Sequence, residues 1–241
     1  MAFTLDQVVP WGRSFDEYVA MFSLSVEDLS QRILGCGDGP ANFNCVLTQR
    51  GGRIVSADPL YRFSTDEIRR RISEVYDQVM EQTRQNQHEF VWGHIPSIED
   101  LGRVRMAAMS DFLADYTAGL KQERYVDASL PALPFEDQEF DLALCSHFLF
   151  LYSQHLSHDF HLQSIKELCR IARETRIFPV LELGSRQSRH LETVVHMLRQ
   201  DGFLARVEKV PYEFQKGGNE MLRVKAARGA FRHRAAAAVA A

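Results

Sequence analysis

The segment from Ile33 to Asp58 constrains this chain more than any other. It reads Ile33-Leu34-Gly35-Cys36-Gly37-Asp38-Gly39-Pro40, then a stretch of helical character, then Gly51-Gly52-Arg53-Ile54-Val55-Ser56-Ala57-Asp58. An apolar strand that turns on Gly35-x-Gly37-x-Gly39 into a helix, followed by a strand closed by an acid, is a βαβ unit built to hold a nucleoside. Glycines let the backbone approach a ligand that any Cβ would block, and the Asp58 carboxylate can accept two hydrogen bonds from a ribose diol. A dinucleotide fingerprint would place glycine where Pro40 stands. Proline instead suits the first turn of a helix, where its missing N–H is not needed.

The rest of the chain extends this unit. Strands are expected at Arg32–Gly35 and Arg53–Ala57, with a helix over Pro40–Arg50 stopped by Gly51. Ser14-Phe-Asp-Glu17 is a capping box, and Phe15, Val19 and Phe22 follow it at helical spacing. About 65 residues separate the second strand from a third near Arg124–Val126, far more than one crossover helix requires. They hold two amphipathic helices. Ser64-Thr-Asp-Glu67 caps one, with a stripe of Ile68, Ile72, Val75, Tyr76, Val79 and Met80. Ser97-Ile-Glu-Asp100 starts the other, with Leu101, Val104, Ala108, Met109, Phe112, Tyr116 and Leu120. Their joint, Gln85 to Pro96, carries His88, Phe90, Trp92 and His94, more aromatic surface than a plain connector needs. Later elements are expected as a strand Asp141–Cys145, a helix Ser157–Arg173, a strand Ile177–Leu183, a helix Ser188–Gln200 stopped by Gly202, and a hairpin of Leu204–Phe214 with Met221–Ala226.

The Gly-Cys-Gly-Asp-Gly run resembles motif I of the class I S-adenosylmethionine-dependent methyltransferases, of the small-molecule, ubiquinone/menaquinone-biosynthesis-like type. The resemblance continues in Tyr125-Val126-Asp127-Ala128-Ser129, then Leu133-Pro134-Phe135-Glu136-Asp137-Gln138-Glu139-Phe140-Asp141, and in the Ser146-His147 that ends strand four. It covers about residues 30–60 and 124–225. Two departures stand out: Ile33 occupies a place where many members carry an acid, and Leu151 one where a histidine is often found. The resemblance implies an α/β, Rossmann-like fold with a seven-stranded, mostly parallel sheet, a terminal antiparallel hairpin and a helical insertion after strand two. In domain terms, an N-terminal helical segment (1–30) precedes a methyltransferase domain (31–227) whose insertion, 62–123, forms a lid. The Ala-rich 228–241 reads as a disordered tail. The implied cofactor is S-adenosyl-L-methionine, held by Gly35, Cys36, Gly37, Asp38, Gly39, Asp58, Pro59, Asp127, Ala128 and Ser146.

Composition bounds the setting. With 241 residues, 45% of them hydrophobic, the chain can bury a full core. Cys36, Cys45, Cys145 and Cys169 form no C-x-x-C pair and read as reduced, packed thiols, which together with the lack of a leader or a membrane-length apolar stretch points to a cytoplasmic protein. The net charge is −4, and the basic run Arg69-Arg70-Arg71 sits in a region, 62–124, with nine basic and eleven acidic residues. No positive field results, so nucleic acid is not an expected partner, nor is a membrane. The oligomeric state is not readable.

Methyl transfer from a sulfonium is an in-line displacement in which the protein aligns the acceptor, excludes water and removes a proton where the acceptor carries one. An Asn/Asp-Pro-Pro-Tyr segment after strand four would mark amino-group methylation of bases or glutamine. Ser146-His147-Phe148-Leu149 stands there instead and points to a small-molecule acceptor, with O-, N- or C-methylation open. His147 is the candidate general base, because imidazole titrates near neutral pH and the strand end faces the site. The bland alternative is that it only lines the pocket. His155, His158 and His161, spaced by three, read as solvated histidines at a helix start, so no metal site is expected. A catalytically silent S-adenosylmethionine-binding regulatory protein is the alternative reading; an oxidoreductase is disfavoured by Pro40 and the terminal hairpin.

Overall fold

The computed structural model describes residues 9–226. The tail reading for 228–241, and the first eight residues of the N-terminal segment, lie outside them. Two short helices, α1 (Phe15–Met21) and α2 (Val26–Leu29), precede β1 (Arg32–Cys36), α3 (Phe43–Gln49) and β2 (Arg53–Ala57). Next come α4 (Thr65–Gln85), α5 (Ile98–Lys121), β3 (Tyr125–Val126), β4 (Phe140–Ser146), α6 (His158–Ile171) and β5 (Ala172–Phe178). A small ribbon, β6 (Leu181–Glu182) with β7 (Arg186–Gln187), leads to α7 (Leu191–Gln200), β8 (Phe203–Lys209) and β9 (Glu220–Ala226). The main sheet has seven strands in the order β3-β2-β1-β4-β5-β9-β8, parallel except for β9, which runs antiparallel to both β5 and β8. This is the expected Rossmann-like α/β sheet with its terminal antiparallel pair.

Alternation along the strands splits the core. Leu34, Cys36, Ala143 and Cys145 face α6 and α7 through Ile165, Leu168, Val194 and Leu198. Ile33, Ile54, Leu142 and Leu144 face Phe15, Tyr18, Phe22 and Phe43 on the other side. The two long helices pack with the sheet edge in a third cluster around Tyr61, Ile68, Ile72, Met109, Phe112, Tyr116 and Tyr125. The capping boxes at Ser14/Glu17 and Ser64/Glu67 form in full.

Several boundaries differ from expectation, for local physical reasons. Helix α3 begins at Phe43, and Pro40 lies in the turn before it: Gly12 crosses so close that a Cβ there would meet the Pro40 carbonyl oxygen at 2.1 Å, and the Asn42 N–H donates to the Arg13 carbonyl at 3.2 Å. Strand β5 spans 172–178 rather than 177–183. Its residues Ala-Arg-Glu-Thr-Arg-Ile-Phe look polar, but buried Arg176 pairs with Glu174 at 2.7 Å and with Asp28 at 3.0 Å, and Glu174 also takes Arg223 and Lys225 at 2.6 Å. Burial alone would raise the Glu174 carboxyl, but Arg223, Lys225 and Arg176 together hold it down to about 2. Pro179, without an N–H, closes the strand. Helix α7 starts at Leu191 because the ribbon occupies the residues before Ser188.

Close approach of α5 to β3 rests on Gly119, where a Cβ would lie 2.3 Å from a Tyr125 ring carbon. Tyr125 is 3% exposed and hemmed in by Tyr61, Phe112 and Tyr116, so the ring has nowhere to go. Gly119→Ala is therefore expected to cost about 1–3 kcal/mol despite alanine's better helix propensity. Urea denaturation checks this; an unchanged or raised midpoint would contradict the packing.

Candidate functional site

The glycine loop is shaped first by its own protein neighbours. A Cβ at Gly35 would fall 1.8 Å from Asp38 Oδ2, so glycine here lets the Asp38 carboxylate fold back under the loop. Gly37 has φ +69° and packs on Phe148, whose Cβ would lie 3.0 Å from an added Cβ. At Gly39 no atom lies within 4 Å of that position, leaving an open face. Asp38 accepts from the Tyr18 hydroxyl at 2.8 Å and the Ser56 hydroxyl at 2.7 Å, and burial pushes its carboxyl up to about 6. Asp58 caps the 3-10 turn Pro59–Arg62: Oδ1 accepts from the Leu60 N–H at 2.8 Å, and Oδ2 accepts from the Gly39 N–H at 2.9 Å. Burial raises its carboxyl as well.

The loop opens into a cavity of about 380 Å³ at the carboxyl ends of the parallel strands. Cys36, Ala57, Ser146 and Phe178, the last residues of β1, β2, β4 and β5, all line it. Of the residues singled out from the sequence, Cys36, Gly37, Asp38, Gly39, Asp58, Pro59, Ala128, Ser146 and His147 meet here. Gly35 lies under Asp38 instead. The Asp127 carboxylate turns to Arg62 at 3.1 Å, 43% exposed, because the 3-10 turn delivers that guanidinium to the end of β3; it is not part of the lining.

His147 sits at the mouth of β4 with φ +50°, a conformation seldom adopted outside glycine, held by its N–H donating to the Phe178 carbonyl at 2.7 Å. Burial, then the charges of Arg13 and Arg105, hold its imidazole well below the usual histidine range, so it is neutral at pH 7. Its Nδ1 lies 3.0 Å from Ser146 Oγ, and Tyr18, which also lines the cavity, donates its hydroxyl to Asp38. In the tautomer that donates from Nδ1–H to Ser146, Nε2 is the ring's acceptor.

Three segments remote in sequence complete the cavity. Arg105, fully buried on α5, bonds to Glu17 on α1, and Glu17 also accepts from the Tyr212 hydroxyl of the β8–β9 connection at 2.8 Å. Burial alone would raise the Glu17 carboxyl, but Arg105 holds it down to about 2. Beside them, Phe90 stacks on Phe214 at 4.9 Å between ring centroids, Trp92 meets the same ring edge-on, and the Val91 N–H donates to the Phe214 carbonyl at 2.7 Å. Sequence reasoning did not single out Arg13, Glu17, Tyr18, Arg105 or Tyr212. One signal was present: Arg105 follows Leu101 by four and precedes Met109 by four, a charge set into an apolar stripe.

The other candidates resolve differently. His161 is buried, with Nδ1 2.8 Å from the Ser157 carbonyl and Nε2 3.0 Å from the Leu149 carbonyl, and it packs on His190; this corrects its reading as solvated. No group of three or more His, Cys, Asp or Glu among the described residues is arranged to hold a metal ion. In the arginine run, Arg69 pairs with Asp66 and Arg70 with Glu74, while Arg71 lies 3.7 Å over the Phe63 ring. No helix of the described residues is long and apolar enough to cross a membrane.

No family model matches the chain. It is 34% identical over 222 residues to the uncharacterized protein MJ0045 of Methanocaldococcus jannaschii, covering 92% of this chain and 97% of that one. Among solved structures it resembles magnesium protoporphyrin IX methyltransferase from Synechocystis with bound S-adenosylmethionine, at 13% identity and TM-score 0.44, over 88% of this chain and 78% of that one. It also resembles a possible histamine N-methyltransferase from Thermotoga maritima, at 13% identity and TM-score 0.41, over 88% and 89%.

Glu17→Gln keeps the shape of the buried junction but strands the Arg105 charge, and is expected to cost about 3–5 kcal/mol at pH 7. Because Glu17 titrates at about 2 when folded against an ordinary 4.5, its contribution is full above pH 4.5 and lost as the pH falls toward 2. Urea denaturation should show a smaller difference between variant and wild type at pH 3 than at pH 7. An equal difference would contradict the assignment.

Proposed function

We propose, from the premise that this chain belongs to the family of the Methanocaldococcus jannaschii protein MJ0045, that it transfers a methyl group from S-adenosylmethionine to a small-molecule acceptor. One observation carries the reading: the sheet order β3-β2-β1-β4-β5-β9-β8 with antiparallel β9 opens, at the carboxyl ends of β1, β2 and β4, onto a cavity floored by the glycine loop. A seven-stranded, mostly parallel sheet with a terminal antiparallel pair, and the loop, are what the class I methyltransferase resemblance implies.

The lining suits the cofactor. Each Asp58 oxygen accepts one backbone N–H, and a carboxylate has roughly four acceptor positions, so capacity remains for a ribose diol. Cys36, Gly37, Gly39, Pro59 and Ala128 would lie against the nucleoside, and Asp38 and Ser146 would serve toward the amino-acid end. Asp127 would contribute only by leaving Arg62. When bound, S-adenosylmethionine supplies an electrophilic methyl group on a sulfonium. The remaining work falls to the chain: the insertion and the β8–β9 connection act as a lid that excludes water and offers an apolar wall, and His147 Nε2 takes the acceptor's proton. Burial, with the charges of Arg13 and Arg105 added, keeps the imidazole neutral for that purpose. In the tautomer that donates Nδ1–H to Ser146 Oγ, Nε2 is the nitrogen that accepts. A quinone-biosynthesis-like acceptor stays within this reading, which the apolar wall supports only in kind.

S-adenosylhomocysteine should bind by calorimetry and NAD should not. Asp58→Ala should weaken that binding by about 1.5–3 kcal/mol, the range for a hydrogen bond to a charged group. NAD binding tighter than S-adenosylhomocysteine binding would overturn the reading, and an unchanged dissociation constant would remove Asp58 from the site.

A further inference from the structure

Among the described charged groups of the cavity, Arg13 and Arg71 have no acid partner, and exposed Arg71 lies over the Phe63 ring. Arg105 has Glu17; Asp38 has Tyr18 and Ser56; Asp58 has two backbone N–H donors. Arg13 lines the cavity, donates from Nη1 to the Trp11 carbonyl at 2.5 Å, and has a buried Nε with no hydrogen-bond partner. The acid close to it is fully engaged. Glu17 Oε2 accepts from the Ser14 N–H at 2.9 Å, from the Ser14 hydroxyl at 3.0 Å and from Arg105, and Oε1 accepts from Tyr212. With Arg13 and Arg105 positive, Glu17 negative and His147 neutral, this wall of the cavity carries one net positive charge. Burial, then the neighbouring Arg105 charge, lowers the Arg13 guanidinium to about 10, against the opposing pull of Glu17. A guanidinium whose Nε is withdrawn from water is costly unless paired, and its planar fork matches a carboxylate.

We propose that Arg13 is the carboxylate-binding residue of this cavity. The ligand group is a carboxylate carried in either by the acceptor or by the amino-acid end of the cofactor, so the inference rests on the methyl-transfer reading. Val79, Leu101, Phe90 and Phe214 face the same space. If the acid belongs to the acceptor, its remainder is apolar and lies against that wall.

The test compares wild-type full-length protein with Arg13→Met and Arg13→Lys. Arg13 makes no ion pair among the described residues, so Arg13→Met should melt at or above the wild-type temperature, which a structural arginine would not allow. Calorimetry with S-adenosylhomocysteine and with 5′-methylthioadenosine, which lacks the carboxylate, forms one arm. Thermal shift with 4-phenylbutyrate and with 4-phenylbutanol forms the other. A loss of about 10- to 100-fold for S-adenosylhomocysteine in Arg13→Met, with methylthioadenosine unchanged and partial rescue by Arg13→Lys, assigns the carboxylate to the cofactor. Loss of the phenylbutyrate shift alone, with phenylbutanol unaffected, assigns it to the acceptor. Equal weakening of charged and uncharged ligands, or no change in any, overturns the proposal. Wild-type protein that binds neither S-adenosylhomocysteine nor methylthioadenosine contradicts the methyl-transfer reading instead, and phenylbutyrate then decides Arg13 alone; failure to bind that acid as well overturns both.

Discussion

The buried contact between Arg105 and Glu17 governs how the molecule is put together. It joins α5, from the insertion, to α1, and through Tyr212 it reaches the connection between β8 and β9. Taking two charges out of water costs several kcal/mol per ion, so such a pair is worth little as net stability and much as geometry. Ser14 gives Glu17 two further donors, its N–H and its hydroxyl, which makes one arrangement of the three segments better than its neighbours.

The same junction sets the electrostatics beneath it. Arg105 is neutralised by Glu17, but its field, with that of Arg13, still reaches His147 and disfavours the imidazolium. The buried Asp38 carboxyl, raised to about 6 by burial, lines the same cavity and stands ready for a cation. The lining thus carries groups that favour an anion and a group that favours a cation. A zwitterionic amino-acid end and a positively charged sulfonium are the kind of ligand such a lining suits, and its apolar part strengthens both fields by excluding water.

What was legible in the sequence was local. The capping boxes at Ser14 and Ser64 are contacts between residues three apart, and the glycine loop with its acid after strand two is a single βαβ unit; their positions could be read directly. The reason for the glycines could not, since Gly35 makes room for Asp38 and Gly37 for Phe148, 111 positions away in the case of the second pair (148 − 37). Strand β5 was hidden because its burial is bought by ion pairs to Asp28, Arg223 and Lys225, which no window over residues 172–178 contains. The Glu17–Arg105 wall of the cavity was hidden for the same reason: Glu17 looked like a helix cap and nothing more, and Arg105 was not singled out. Only the position of Arg105 on an apolar stripe betrayed it.

The central claim is that the glycine loop, the insertion and the β8–β9 connection form one ligand cavity rather than three adjacent surfaces. Amide hydrogen exchange with and without S-adenosylhomocysteine tests it most directly. Slowed exchange is expected in Gly35–Gly39 together with Ile98–Arg105 and Tyr212–Gly218. Protection confined to the glycine loop and Asp58, with the insertion and the connection unchanged, would contradict it.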